Sequence, residues 1–201
     1  RMGARFVWMP MFDSHHSVER SRKADLQYRS KDKVILKKGL RIWDEDKNIL
    51  PEVEEIIGLI SKAGNVVLST CHLSPEESIA LVRLAKKKGV KHITVTHPSM
   101  SIINASIDQQ KIMAEEGAYI EHVFSYCNPC DFNKDPREIV EAIKVVGAEN
   151  CIISSDSGHV TMSKPVDAFR QWVTTLLWLG ISKRKIELMM RHNPAKLLEL
   201  D

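Results

Sequence analysis

Short apolar or β-branched runs alternate with longer capped or amphipathic segments along most of the chain. Val66-Val67-Leu68-Ser69-Thr70 has the length and composition of a buried strand. Ser74-Pro75-Glu76-Glu77 follows, a capping box with Pro at the first helical position, and predicts a helix running to Gly89. His92–Thr96 predicts the next strand, Ser106–Gly117 the next helix, Ala118–Phe124 a third strand and Asp135–Gly147 another capped helix. Cys151–Ser155 predicts the last strand, with helices expected at Pro165–Leu179, Ser182–Arg191 and Pro194–Leu200. Upstream, Phe6–Met9 reads as a strand. Pro51–Lys62 reads as an amphipathic helix with Val53, Ile56, Ile57 and Ile60 on one face. Strict strand-then-helix alternation at this spacing means parallel strands joined by helical crossovers. Five such units fit either an open doubly wound sheet or part of a β/α barrel, since a complete barrel has eight strands and about 250 residues.

Residues 11–50 interrupt the alternation. Glu19–Lys33 is rich in Lys and Arg without apolar periodicity and is expected to be a solvated, mobile loop. Val34–Trp43 is expected to form a small β-hairpin ending in the polar turn Asp44–Asn48. Forty residues between a strand and its helix suit a functional lid, so this insertion is expected over the carboxyl ends of the strands.

Composition narrows the class rather than the function. Hydrophobic residues are 43% and charged residues 27% of 201, an ordinary globular mixture, and the net charge is only +3. That balance is too small to argue by itself for nucleic acid or a membrane surface as partner, and neither is expected. The expected partner is a small-molecule substrate. The uncharged hydrophobic stretch Gln171–Ser182 is too short to span a bilayer. Four cysteines are too few for a disulfide scaffold, so a cytoplasmic location is expected.

Parallel α/β folds gather their working residues at the carboxyl ends of the strands. The residues found there are His72, His97 and Asp156, a donor set suited to a divalent metal. Glu121 and His122 lie in or at the end of the third strand of the regular repeat, and His122 divides evenly between site and core. His15 and His16 follow the first strand and are candidates to reach the mouth or to sit in a solvated loop. Cys127 and Cys130 have C-x2-C spacing, but one such pair is half a zinc site, and two buried thiols are the plainer reading. His92 and His192 read as structural. No glycine-rich phosphate loop and no G-x-S-x-G motif occurs.

The phrases Thr70-Cys71-His72, Val95-Thr96-His97-Pro98, Ser154-Ser155-Asp156 and Arg191-His192-Asn193-Pro194-Ala195-Lys196-Leu197-Leu198 resemble the amidohydrolase superfamily of metal-dependent hydrolases. The resemblance covers nearly the whole chain and is nearest to an uncharacterised branch of these barrels. It implies a parallel β/α barrel of the TIM type, with Phe6–Met9 as strand four and His72, His97 and Asp156 ending strands five, six and eight. Glu121-His122 then falls on strand seven. The family's His-x-His motif and first three strands have no counterpart here, and Met9-Pro10 stands where a metal-bridging Lys or Glu often ends strand four. The expectation is therefore a single domain over 1–201 that is a C-terminal portion of a barrel, with 11–50 as its loop-and-hairpin insertion. About 100 residues of the complete barrel would be absent.

The implied chemistry is hydrolysis of an amide, ester or phosphoester bond by a metal-activated water. Zinc is the expected ion, with manganese or iron as alternatives. His72, His97 and Asp156 would be its ligands, with His122, Glu121, His15 and His16 as additional candidates. Asp156 would handle the proton, and His97 would either bind the ion or face the substrate oxygen. The competing expectation is a non-catalytic partial barrel that binds a ligand or partner. In either case the edge at Phe6–Met9 needs cover, from a second copy of the chain or from a missing N-terminal segment.

Overall fold

The computed structural model describes residues 3–23, 38–129, 132–158, 160 and 162–200, with the side chains of 21–23 excepted. Five parallel strands form one sheet in sequence order: β1 (Phe6–Trp8), β2 (Val67–Ser69), β3 (His92–Val95), β4 (Tyr119–Val123) and β5 (Cys151–Ser154). The crossovers carry α2 (Pro51–Ala63), α3 (Pro75–Lys87), α4 (Ile107–Glu115) and α5 (Pro136–Val146), and α6 (Pro165–Trp178) follows β5. Capping boxes open α3 at Ser74/Glu77 and α4 at Ser106/Gln109, so both helices begin where the sequence signals them.

Strand alternation divides the sheet into two faces. Val7, Leu68, Ile93, Val95, Ile120, Cys151 and Ile153 face the helices. They share one core with Val53 and Ile57 of α2, Leu81 of α3, Met113 of α4, Ile143 of α5 and Trp172 of α6. The other face is apolar at the amino ends of the strands, where Val67 and Ile152 pack with Phe6 and Tyr119. The chain closes over that patch. After α7 (Lys183–Glu187) and a π-helical turn at Leu188–His192, α8 (Asn193–Leu197) brings Leu197 and Leu198 onto it. Arg5 donates to the Leu198 carbonyl, and His92 meets Glu199 at 3.0 Å. Asn193 donates to the Ala148 and Cys151 carbonyls, which fixes the start of α8 under β5. Trp8, on the same face of edge strand β1, is 56% exposed.

The insertion differs from its sequence reading. Helix α1 spans His15–Lys23 and takes up the beginning of the expected loop; 24–33, the rest of that loop, lies outside the described residues. Of the expected hairpin Val34–Trp43, residues 34–37 lie outside the described residues. Leu40 bridges in parallel to Ser14, and Trp43 pairs antiparallel with Ile49 around the 44–48 turn. The reversal sits there because Asp44 Oδ1 accepts from the backbone N–H groups of Asp46 and Asn48. Gly39 makes the close approach to α1 with φ +68; a Cβ on it would lie 2.6 Å from His15 Cα. Gly39→Ala is therefore expected to cost about 2–4 kcal/mol, read as a lower urea midpoint with unchanged slope. An unaltered midpoint would mean the 38–43 segment does not rest on α1.

Candidate active site

Three backbone outliers mark the carboxyl ends of the strands. Cys71 (φ 50°), His97 (φ 35°) and Asp156 (φ 50°) follow β2, β3 and β5 in the left-handed region. Each such conformation in a non-glycine residue costs on the order of 1–3 kcal/mol, and such costs gather where side chains must be aimed. Here they turn His72, His97 and Asp156 out of their strands.

His72 and His97 are brought together, both buried, with ring centroids 5.0 Å apart. Burial drives the His72 pKa down to about 3, and the neighbouring His97 and His16 rings push the same way. Burial also lowers His97, against the pull of the Asp156 charge. Both rings are therefore neutral at physiological pH. Among the described residues, buried His97 Nδ1 has no hydrogen-bond partner. Asp156 is exposed at the mouth, and its Oδ2 accepts from Ser125 Oγ at 2.9 Å.

Glu121 lies on the face turned away from the helices, beneath the mouth. It accepts from Ser154 Oγ at 2.8 Å and hydrogen-bonds Thr96, which in turn is bonded to Ser69. A polar row thus crosses β2, β3, β4 and β5. Burial raises the Glu121 pKa, Asp156 adds to that rise, and the two hydroxyls oppose it.

His122, one residue on, faces the other way. It is buried in the helix-side core, 3.7 Å from Cys151 Sγ, and its carbonyl accepts from Trp172 Nε1 at 3.4 Å. Burial lowers its pKa to about 4. The unfolded chain then binds the extra proton between about pH 4 and 6.5. Stability present above pH 6.5 is lost as the pH falls, by about 3 kcal/mol for this group, and His72 adds with the same sign. Urea midpoints at pH 7.5 and pH 4.5 test this, and His122→Gln should flatten part of the slope.

Helix α1 lies against the site, as expected of the insertion. Its N-cap Ser14 accepts from Ser17 N–H and donates to the His72 carbonyl at 2.7 Å. Ser17 Oγ sits 3.1 Å from His72 Nδ1. His16 Nε2 meets the Ile103 carbonyl at 3.1 Å, tying α1 to the loop after β3. His15 turns outward to Arg41. Cys127 is partly buried and its thiol is pushed up to about 11; Cys130, its sequence partner, lies outside the described residues. Ser17 and Ser125 carry no sequence signal of their own. They are found because their buried hydroxyls lie against His72 and Asp156.

The donors suit a divalent ion in kind: two neutral imidazoles and a carboxylate. Among the described residues, however, no three His, Cys, Asp or Glu side chains are arranged as a finished cage.

The model of a family of unknown function, DUF6282, matches residues 1–121, more than half of the chain. The chain belongs to that family. No curated protein matches the sequence. Among solved structures, a variant organophosphorus hydrolase from Deinococcus radiodurans aligns at 14% identity and TM-score 0.56. The match covers 75% of this DUF6282 chain and 52% of that one. An organophosphate-hydrolysing protein engineered from a weak promiscuous lactonase template aligns at 13% identity and TM-score 0.56, covering 92% and 64%. A protein assigned as a 2-pyrone-4,6-dicarboxylic acid hydrolase from Pseudomonas putida aligns at 15% identity and TM-score 0.51, covering 98% and 71%. The likeness is one of fold, to β/α barrels, and the chain spans about half the length of the first of them. No helix among the described residues is long and apolar enough to cross a membrane.

Proposed function

We propose that this chain carries the metal-binding and proton-handling side of an amidohydrolase-type hydrolase acting on a carboxylic ester, lactone or phosphoester. The observation that carries this reading is the set of left-handed turns at the ends of β2, β3 and β5, with His72, His97 and Asp156 gathered around them. The names of the structural neighbours, an organophosphorus hydrolase and a lactone-type hydrolase, favour these bonds over amides.

His72, His97 and Asp156 would hold a divalent ion, zinc first among the candidates. When bound, such an ion polarises the scissile bond and lowers the pKa of water. Burial keeps His72 and His97 neutral, so neither ring has to lose a proton to solvent before one of its nitrogens can bind a cation. Asp156, whose Oδ2 accepts from Ser125, would take the proton of the attacking water and return it to the leaving oxygen. Glu121 and its hydroxyl row give the floor hydrogen-bonding groups for the substrate. The expected partner is a small molecule.

Two measurements test the reading together. Zinc, manganese and iron are quantified in the purified chain before and after a chelator. A panel of lactones, aryl esters and phosphotriesters is then assayed with each ion restored. The expected result is chelator-sensitive hydrolysis restored by one ion and lost in His97→Ala. Chelator-insensitive turnover, or ion binding unchanged in His97→Ala, would overturn it.

A further inference from the structure

We propose that Ser17 sets the ring proton of His72: its hydroxyl donates to Nδ1, so that the neutral ring carries its proton on Nε2. The proposal deepens the preceding one, resting on His72 as a site residue, and makes Ser17 a positioning residue supplied by the insertion.

Ser17 is fully buried, and its Oγ lies 3.1 Å from His72 Nδ1. The nearest other hydroxyl is already committed, because Ser14 Oγ gives its proton to the His72 carbonyl and accepts from Ser17 N–H. Among the described residues, the Ser17 hydroxyl has His72 Nδ1 as its one hydrogen-bond partner. A buried O–H left without an acceptor costs about 1–3 kcal/mol, more than an idle lone pair on the same oxygen. The proton therefore points from Ser17 to the ring. Serines three apart on the first turn of α1 thus grip one histidine at two points, carbonyl and ring.

The consequence for the site is specific. In the ion-free protein His72 offers Nε2–H, a hydrogen-bond donor for a substrate oxygen, rather than a lone pair. For Nε2 to take a cation, the ring proton must move from Nε2 to Nδ1, and the Ser17 hydroxyl must turn round and accept it. No proton is gained or lost by the ring. A hydroxyl can serve both states because it donates and accepts; a methyl group serves neither.

Long-range ¹H–¹⁵N NMR of the full labelled chain reads this directly, with the His72 signals assigned by their loss in His72→Gln. Without metal, Nδ1 should show the shift of an unprotonated, hydrogen-bonded nitrogen and Nε2 that of a protonated one. In Ser17→Ala the Nδ1 signal should move downfield to the position of an unbonded nitrogen, and in Ser17→Thr it should stay. On adding zinc the wild-type ring should switch to Nδ1–H, and Ser17→Ala should bind zinc about 10–100-fold more weakly. A protonated Nδ1 in the metal-free wild type would overturn the proposal without any variant, as would an unmoved Nδ1 signal in Ser17→Ala. Correct metal-free signals with no response to zinc would uphold the Ser17 contact and sink the metal reading instead.

Discussion

Asp156→Asn is expected to lower hydrolytic kcat/KM at least about a thousandfold while moving the melting temperature by no more than about 2 °C. The two effects separate because of where the residue sits. Asp156 is exposed, and its one described side-chain hydrogen bond, from Ser125 Oγ, can still reach an amide oxygen. Its φ of 50° is a conformation that Asn tolerates as well as Asp. What Asn cannot do is take a proton from water. Full activity in this variant, on the substrate found in the panel, would remove Asp156 from the chemistry. Asp156→Ala is the less informative change, since Ala is strained at that φ.

The largest structural effect is expected at Trp172. It has no exposed surface, its ring centroid lies 6.3 Å from that of Phe124 with the planes tilted by 50°, and its Nε1 donates to the His122 carbonyl. Trp172→Ala should cost about 3–5 kcal/mol, a drop of roughly 10 °C in melting temperature. Because the indole bonds the backbone of β4, Trp172→Phe should recover most of the packing yet leave that carbonyl without its partner. A Phe variant as unstable as the Ala variant would assign the cost to the hydrogen bond rather than to the cavity. A loss under about 1 kcal/mol in Trp172→Ala would show that α6 does not seal this core.

Both expectations rest on how much of the molecule can be read from residues alone. The strands are legible because Val66–Thr70, His92–Thr96 and Cys151–Ser155 are β-branched runs stopped by polar or Pro residues. The helices are legible where Ser74 and Ser106 cap them and Pro51, Pro136 and Pro165 open them. Helix α1 escapes this logic. His15–Lys23 is polar except for Val18, so no apolar stripe announces it. What holds it is tertiary: the Ser14 and Ser17 contacts to His72, and the Ser14–Leu40 bridge. The Ser14–Leu40 bridge is illegible for the same reason, since a parallel partner 26 residues away leaves no local trace.

In the site, the residues that leave strands β2, β3 and β5 can be located from strand ends. The division between Glu121 and His122 cannot, because it depends on which of two adjacent positions faces the helices. The Glu121↔Ile152 register decides it, placing Glu121 on the open face and His122 in the core. Ser125 and Ser17 are invisible for a further reason. A serine in a loop or helix is ordinary until the fold buries its hydroxyl against a site residue.

The closure beneath the sheet bears on how the molecule assembles. Arg5 and the Leu198 carbonyl that it binds are separated by 193 residues, and Leu197 covers Val67 and Ile152. Contacts this distant in sequence are made late in folding, after the loop entropy between them has been lost. Each strand after β1 can pair with its predecessor as it emerges from the ribosome. Within these residues, the apolar base of the sheet gains the cover of Leu197 and Leu198 only when they too have been synthesised. A chain halted before Leu197 is therefore expected to be more prone to aggregate than one that carries it.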